Sequence, residues 1–280
     1  MYRRPFGISG PSITAVGLGG EGVLRTFGRD AEAQAVIEEA AQQGIGYFDS
    51  ARAYAGSEGY YGSFWRGHSS LRGNIFQTSK SAARDRDGAQ DDLRGTLDTV
   101  GCSYLDLWQI HDLRTRQDLE EIEAPGGALE AFLQARETGL TRYVGVTGHH
   151  DPAVLERAVL SWHVDAVLMP VNPVEAVVGG FLDRVLRAAQ DRGMAVIGMK
   201  VLGGSHYLSA KAGISAEKLI RFALSQHIAT AIVGCSTPAE VQLLAGMGRN
   251  FQPMSAEEQE DLVRIFRPRA RRMAFYRGVL

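Results

Sequence analysis

A short apolar run, a turn, an amphipathic stretch of helical periodicity and then another apolar run recur along almost the whole chain. This repeated βα rhythm restricts the fold more than any other feature of the sequence. Candidate strands lie at 13–19, 46–50, 75–80, 105–111, 143–148, 166–171, 195–202 and 230–235, eight in all. Helical stretches follow at 30–43, 88–100, 127–138, 152–161, 180–192, 216–226 and 238–247, several of them opened by Asp, Ser or Thr as N-caps. Gly44, Gly101, Gly139 and Gly193 stand just after four of these helices, where a left-handed C-cap favours a residue without a β-carbon. Eight units without a long linker predict one closed (β/α)8 TIM barrel, a single domain over 1–280, because closure removes the edges a parallel sheet would expose. An open doubly wound sheet is the alternative. Residues 2–12, with Gly7 and Gly10, predict a short hairpin across the barrel bottom, and 255–266 an added C-terminal helix begun by the capping box Ser255 and Glu258. The polar stretches 68–74 and 111–125 read as loops of a binding face.

Composition narrows the function classes. With 45% hydrophobic and 22% charged residues the chain can bury a substantial core, and a formal net charge of -2 gives no global pull towards nucleic acid or membrane. Cys102 and Cys235 match no metal-ligand or disulfide spacing, so no metal site is expected and a reducing, cytoplasmic setting fits. Arg3 and Arg4 precede no apolar h-region, and no long apolar window suggests insertion or export. The arginines 267, 269, 271, 272 and 277 read as a solvated helix end and tail without a function.

Gly17-Leu18-Gly19-Gly20-Glu21-Gly22 satisfies G-x-G-x-x-G after a candidate strand. A Rossmann site also needs the third glycine inside a helix that faces the pyrophosphate, and the first helical pattern begins only near Asp30. The expectation is therefore a flexible loop at the top of the first barrel strand.

The strand ends carry more chemistry. Asp49 ends the second strand and Tyr54 follows it, with Ser57 and Glu58 where a helix should start; Lys80 ends the third strand and His111 the fourth. Each has a dull explanation alone, as turn former, loop aromatic, solvated cation or hydrogen-bonded imidazole. In a barrel, however, the C-terminal rim is the active-site face, and these four groups converge on it from consecutive strands.

Asp49-Ser50-Ala51 with Tyr54 and Ser57-Glu58, then Lys80, then Gln109-Ile110-His111, resemble the aldo-keto reductase family, and the likeness runs through nearly the whole chain. It continues in Val144-Gly145-Val146-Thr147, Asn172, Gly198-Met199-Lys200, Leu202-Gly203-Gly204 and Ile232-Val233-Gly234-Cys235-Ser236-Thr237. The resemblance implies reversible reduction of an aldehyde or ketone by NADP(H) or NAD(H). In that scheme Tyr54 gives the proton, Lys80 lowers the phenol's pKa, Asp49 holds Lys80, and neutral His111 orients the carbonyl oxygen. It further implies cofactor contacts from Gly19, Gly20, Asp49, Thr147, Gly148, Asn172, Met199, Lys200, Leu202, Gly203, Gly204, Gly234, Cys235, Ser236, Thr237 and Glu240.

The sequence departs from the family pattern at the nicotinamide. Alignment puts Thr147, Gly148 and Leu168 where a Ser-Asn pair and a Gln commonly hold the carboxamide, leaving His149 or Asn172 as substitutes. Met199 replaces a stacking aromatic with a polarisable thioether. Gly234 and Glu240 stand where Lys or Arg often binds a 2′-phosphate, which leans the expected preference towards NADH, with Arg249 or the C-terminal arginines as alternative phosphate ligands. Glu21, Trp65, His68, Trp108 and the loop after His111 are candidates for the substrate pocket. A Schiff-base aldolase or lyase using Lys200 and a cofactor-binding regulatory barrel are the rival functions. Small-molecule carbonyl compounds are the expected partners, and oligomeric state is left open.

Overall fold

The computed structural model describes residues 1–278; the last two positions of the expected 1–280 domain lie outside them. The chain opens with an antiparallel hairpin, β1 (Arg3–Pro5) and β2 (Ser12–Thr14). Eight parallel strands then close a barrel: β3 (Val16–Gly22), β4 (Tyr47–Phe48), β5 (Phe76–Ser81), β6 (Leu105–Ile110), β7 (Thr141–Thr147), β8 (Ala166–Pro170), β9 (Ala195–Met199) and β10 (Thr230–Cys235). They pair in chain order, with β10 returning to β3, so closure leaves no free edge among them. The expected (β/α)8 barrel with an N-terminal hairpin and a further C-terminal helix, α11 (Ala256–Phe266), is the observed fold.

Alternation along the strands separates two apolar layers. Tyr47, Phe76, Leu107, Leu168, Ile197 and Ile232 point into the barrel, where Phe6 of the hairpin plugs one end, its ring 4.8 Å from that of Phe76 and 5.0 Å from that of Tyr143. The opposite faces meet the helices in a larger layer that contains Phe48, Phe64, Trp65, Trp108 and Phe132. Trp65 and Trp108 therefore pack between barrel and helices rather than lining the mouth: Trp65 donates to Gln77 at 3.0 Å, and Trp108 stacks on Phe132 at 3.6 Å. His68 stacks on Phe64 at 4.5 Å.

Several boundaries differ from the sequence reading for local reasons. The run 13–19 is split at Ala15, its start pairing in the hairpin and its remainder in the barrel. The run 195–202 ends at Met199, because Lys200, Gly203 and Gly204 take positive φ (54°, 56° and 59°) and turn the chain out of the strand. The stretch 111–125 is not all loop: Thr115 and Asp118 form a reciprocal capping box that starts α4 (Arg116–Glu123). Asn172 caps an unforeseen short helix, α7 (Pro173–Val178).

The glycine-rich run is no flexible loop. It lies in β3, where its glycines admit close neighbours: a β-carbon on Gly19 would come within 2.9 Å of the Gly234 backbone, and one on Gly20 within 2.7 Å of the Tyr54 ring. No helix among the described residues is long and apolar enough to cross a membrane.

Because Phe6 is 2% exposed and closes one end of the barrel, truncating it leaves a cavity that the surrounding strands cannot refill. Phe6→Ala is expected to cost about 3–5 kcal/mol of stability, measured by urea unfolding with an unchanged m-value.

Candidate active site

Barrel register brings the four strand-end residues together. The Asp49 amide donates to Leu18 O of β3 at 2.9 Å, the Arg52 amide to Lys80 O of β5 at 3.0 Å and the His111 amide to Ser81 O of β5 at 2.8 Å, which ties the ends of the first four barrel strands together at the rim. Asp49 and Lys80 are each 1% exposed and face one another across β4 and β5. The Lys80 ammonium donates to Asp49 Oδ1 at 2.7 Å, to Asp49 Oδ2 at 2.8 Å and to the Ser50 carbonyl at 2.7 Å. Thr78 donates to Asp49 Oδ1 at 3.0 Å, and the Gly20 amide approaches Oδ2 at 3.5 Å.

An ammonium has three N–H donors, and all three are thus committed. Lys80 meets Tyr54 through the ring face instead, its Nζ 4.8 Å from the ring centroid. This alters the expected electrostatics. The Tyr54 phenol stands well above its ordinary range rather than below it, because burial disfavours the phenolate and Asp49 and Glu21 add negative charge, with Arg25 opposing them. Tyr54 is held protonated, the form from which a proton can be donated.

His111 lies edge-on to Tyr54, ring centroids 5.6 Å apart. Burial, and secondarily the Lys80 charge, lower its pKa to about 3, so the imidazole is neutral as expected. Its Nδ1 is buried without a protein partner.

Beneath this cluster, Ser50 and Ser57 share a hydrogen bond of 2.8 Å, and buried Glu58 accepts from Ser79 and Thr96, each at 2.7 Å, and from Arg52 at 3.2 Å. These bonds fix the start of α2 (Ser57–Gly67) against β5 and α3 (Arg86–Val100), and with it the loop that carries Tyr54.

The rim between β9 and β10 suits an anionic group. After Met199, Lys200 and the turns at Gly203, Gly204 and Ser205, all of positive φ, form the loop that leaves β9, and α10 (Pro238–Arg249) starts just beyond the neighbouring strand β10. A β-carbon on Gly204 would meet only His206, at 3.8 Å, so the loop surface is open there. An ammonium, turn amides and a helix N-terminus are the donor set that dinucleotide phosphates require. Glu240 spends its carboxylate on the Ser236 amide at 2.6 Å, placing negative charge at that helix start.

The carboxamide substitutes fit less well. The Thr147 hydroxyl accepts from the Asp112 amide at 2.8 Å; Gly148 packs against Leu113 and Leu155; Leu168 lies inside the barrel. Asn172 is buried, its Nδ2 donating to Lys200 O and Tyr276 Oη and its Oδ1 accepting from the Glu175 amide. His149 contacts Tyr276 O through Nδ1 at 3.0 Å and Asp112 through Nε2 at 3.3 Å. Both substitute side chains are thus already engaged.

A family model described as "Aldo/keto reductase family" matches residues 15–216. The chain belongs to the aldo/keto reductase family. A curated relative, an aldo-keto reductase of Mycolicibacterium vanbaalenii, is 33% identical over 140 residues, 49% of this chain and 48% of that protein. The chain spans about half the length of the curated relatives it matches. Among solved structures, the holo form of aldo-keto reductase AKR11C1 from Bacillus halodurans superposes with a TM-score of 0.78 at 18% identity, over 95% of this chain and 96% of that one. An aldo-keto reductase from Klebsiella pneumoniae in complex with NADPH superposes with a TM-score of 0.76 at 18% identity, with the same coverage of 95% and 96%. Both share the barrel.

Two features of this family member were missed by sequence reasoning. The guanidinium of Arg25 covers the Tyr54 ring, 4.9 Å from its centroid, and pairs with Glu21 at 2.6 Å; no local motif marks an arginine beyond a strand end for such a place. The C-terminal arginines are not uniformly solvated either. The side chain of Arg277 is 4% exposed and ion-paired with fully buried Glu175, which also accepts from Tyr276 Oη at 2.7 Å. This contact spans a hundred residues of sequence and carries no periodic signal.

The neutral state of His111 has a thermodynamic consequence. Its folded-state pKa of about 3 lies below the ordinary 6.5, so between these values the unfolded chain binds the extra proton. The contribution is complete above pH 6.5 and is lost as pH falls towards 3. His111→Gln is expected to show a smaller fall in thermal midpoint than the unsubstituted protein between pH 7 and pH 4.5, followed by circular dichroism.

Proposed function

We propose that this barrel is a single-domain NAD(P)H-dependent reductase of aldehydes or ketones, running reversibly, with Tyr54 as the proton donor. The observation that carries the reading is the buried Asp49–Lys80 pair under a protonated tyrosine, with a neutral histidine edge-on to it. Membership of the aldo/keto reductase family supports it, as does the NADPH complex of the structural neighbour from Klebsiella pneumoniae.

When bound, the nicotinamide supplies the hydride. The protein residues do the remainder. His111, uncharged, donates a hydrogen bond that orients the carbonyl oxygen, and the Tyr54 hydroxyl hands its proton to that oxygen as negative charge develops there. Lys80, fixed by Asp49 and Ser50, acts across the ring face and limits the cost of the phenolate left behind. The turn at Lys200–Ser205 and the start of α10 would hold the phosphates of the bound dinucleotide, and Met199 would supply a polarisable face for its ring. Gly19, Gly20 and Gly234 serve packing instead, since a β-carbon on them would strike the Gly234 backbone, the Tyr54 ring and Glu21 respectively, and Cys235 is buried in the layer between barrel and helices; Leu202, Ser236 and Thr237 are left to line the cofactor site. A Schiff-base role for Lys200 has no support in its surroundings: its Nζ is partly exposed beside Glu21 at 3.8 Å, outside the apolar pocket an amine nucleophile needs.

Tyr54→Phe should lower kcat for a reactive aldehyde by about 100-fold or more, the range expected when a positioned proton donor is lost, while titration of cofactor fluorescence shows nearly unchanged binding. Equal turnover by the mutant would remove Tyr54 from the chemistry. For the cofactor, the carboxylate of Glu240 at the start of α10 should disfavour a 2′-phosphate. NADH is expected to bind at least as tightly as NADPH in tryptophan-quenching titrations, and Glu240→Gln should move the ratio towards NADPH. A tenfold tighter NADPH complex of the unsubstituted protein would refute this.

A further inference from the structure

We infer that Arg25 selects carbonyl substrates bearing a carboxylate one or two carbons from the reacting carbonyl, so that the substrate class is short oxo acids and aldehyde acids. The inference rests on the reductase reading above, whose proton donor sets where the carbonyl oxygen must lie.

Arg25 ends a short 3-10 turn, Val23–Arg25, that follows β3 directly. Its guanidinium lies over the ring of Tyr54 at 4.9 Å, and its side chain is 47% exposed, so it is held at the site yet open to solvent. Only its Nη1 is engaged among the described residues, by Glu21 Oε1 at 2.6 Å. The remaining donors of a planar fork are the geometry that grips a carboxylate through two parallel bonds.

Charge counting at the mouth gives the same answer. Asp49 and Lys80 neutralise each other, as do Asp112 and Arg114 at 2.6 Å. His111 is neutral. Lys200, 3.8 Å from Glu21, is the ammonium read above as a phosphate ligand, and Glu21 engages Arg25 only at Nη1, at 2.6 Å, so Arg25 is the cation beside the proton donor with donors still open. A substrate carboxylate takes the remaining donors of the fork, with Glu21 kept on Nη1. The guanidinium carbon stands 4.9 Å from the centroid of the ring whose hydroxyl donates the proton, a separation that a carboxylate one or two carbons from the carbonyl spans, so that it reaches Arg25 while the carbonyl oxygen meets Tyr54.

The test compares phenylglyoxylate with its methyl ester, which share a carbonyl and differ in charge, as substrates of the cofactor-loaded protein. The acid is expected to have at least a tenfold higher kcat/KM than the ester, and Arg25→Gln to lower that ratio at least tenfold, mainly through KM of the acid. A second measurement is independent of turnover. Benzoate should raise the thermal midpoint of the NADPH-loaded protein where benzamide does not, with the difference shrinking in high salt and absent in Arg25→Gln. An acid no better than its ester, or an Arg25→Gln ratio equal to that of the unsubstituted protein, overturns the assignment. If neither substrate turns over yet benzoate stabilises the protein through Arg25, the reductase reading has failed and the anion site stands.

Discussion

The ion pair between Asp49 and Lys80 organises the candidate site. Two charges at 1% exposure are costly to desolvate, and the pair persists because every donor on the ammonium has an oxygen acceptor while Thr78 and Gly20 address the carboxylate. Burial leaves the lysine pKa below its ordinary value, with the Asp49 carboxylate opposing that shift and favouring the ammonium form. Because its hydrogen bonds are used up, Lys80 can influence Tyr54 only through space. The phenol therefore stays protonated until a reaction draws charge onto a neighbouring oxygen.

The surrounding structure keeps that arrangement from relaxing. Glu58 anchors the start of α2 through Ser79 and Thr96, and Ser57 ties the same turn to Ser50. Gly20 gives the Tyr54 ring its space from the other side, since a β-carbon there would press on two ring carbons at 2.7 Å. The run Gly17–Gly22 is glycine-rich for reasons of strand packing, and its match to a phosphate-binding fingerprint follows from composition rather than from a shared mechanism.

At the far side of the rim the C-terminal segment closes over α7. Tyr276 and Arg277 both bond to Glu175, Tyr276 is bonded by Asn172, and Asn172 reaches the Lys200 carbonyl. His149 joins the same segment through the Tyr276 carbonyl. A single polar network thus fixes the rim beyond β7, β8 and β9 to the tail, and it engages the two side chains that would otherwise be free to take over a carboxamide contact.

The barrel itself was legible in the sequence, because βα alternation, N-caps and C-terminal glycines are local signals and parallel strands without an edge have few ways to close. Asp49, Tyr54, Lys80 and His111 were legible for the same reason: each stands at or just beyond a strand end, and strand ends in a closed barrel meet. A capping box at Thr115 was also present in the sequence and was hidden only by the polarity of its surroundings. Tertiary structure alone decided the rest. Whether Lys80 reaches the phenol or the ring face depends on which oxygens saturate it. Whether Asn172 and His149 are free depends on a tail a hundred residues away, and whether Arg25 covers Tyr54 depends on the path of one turn after β3. These are contacts between distant segments, and no local pattern of residues encodes them.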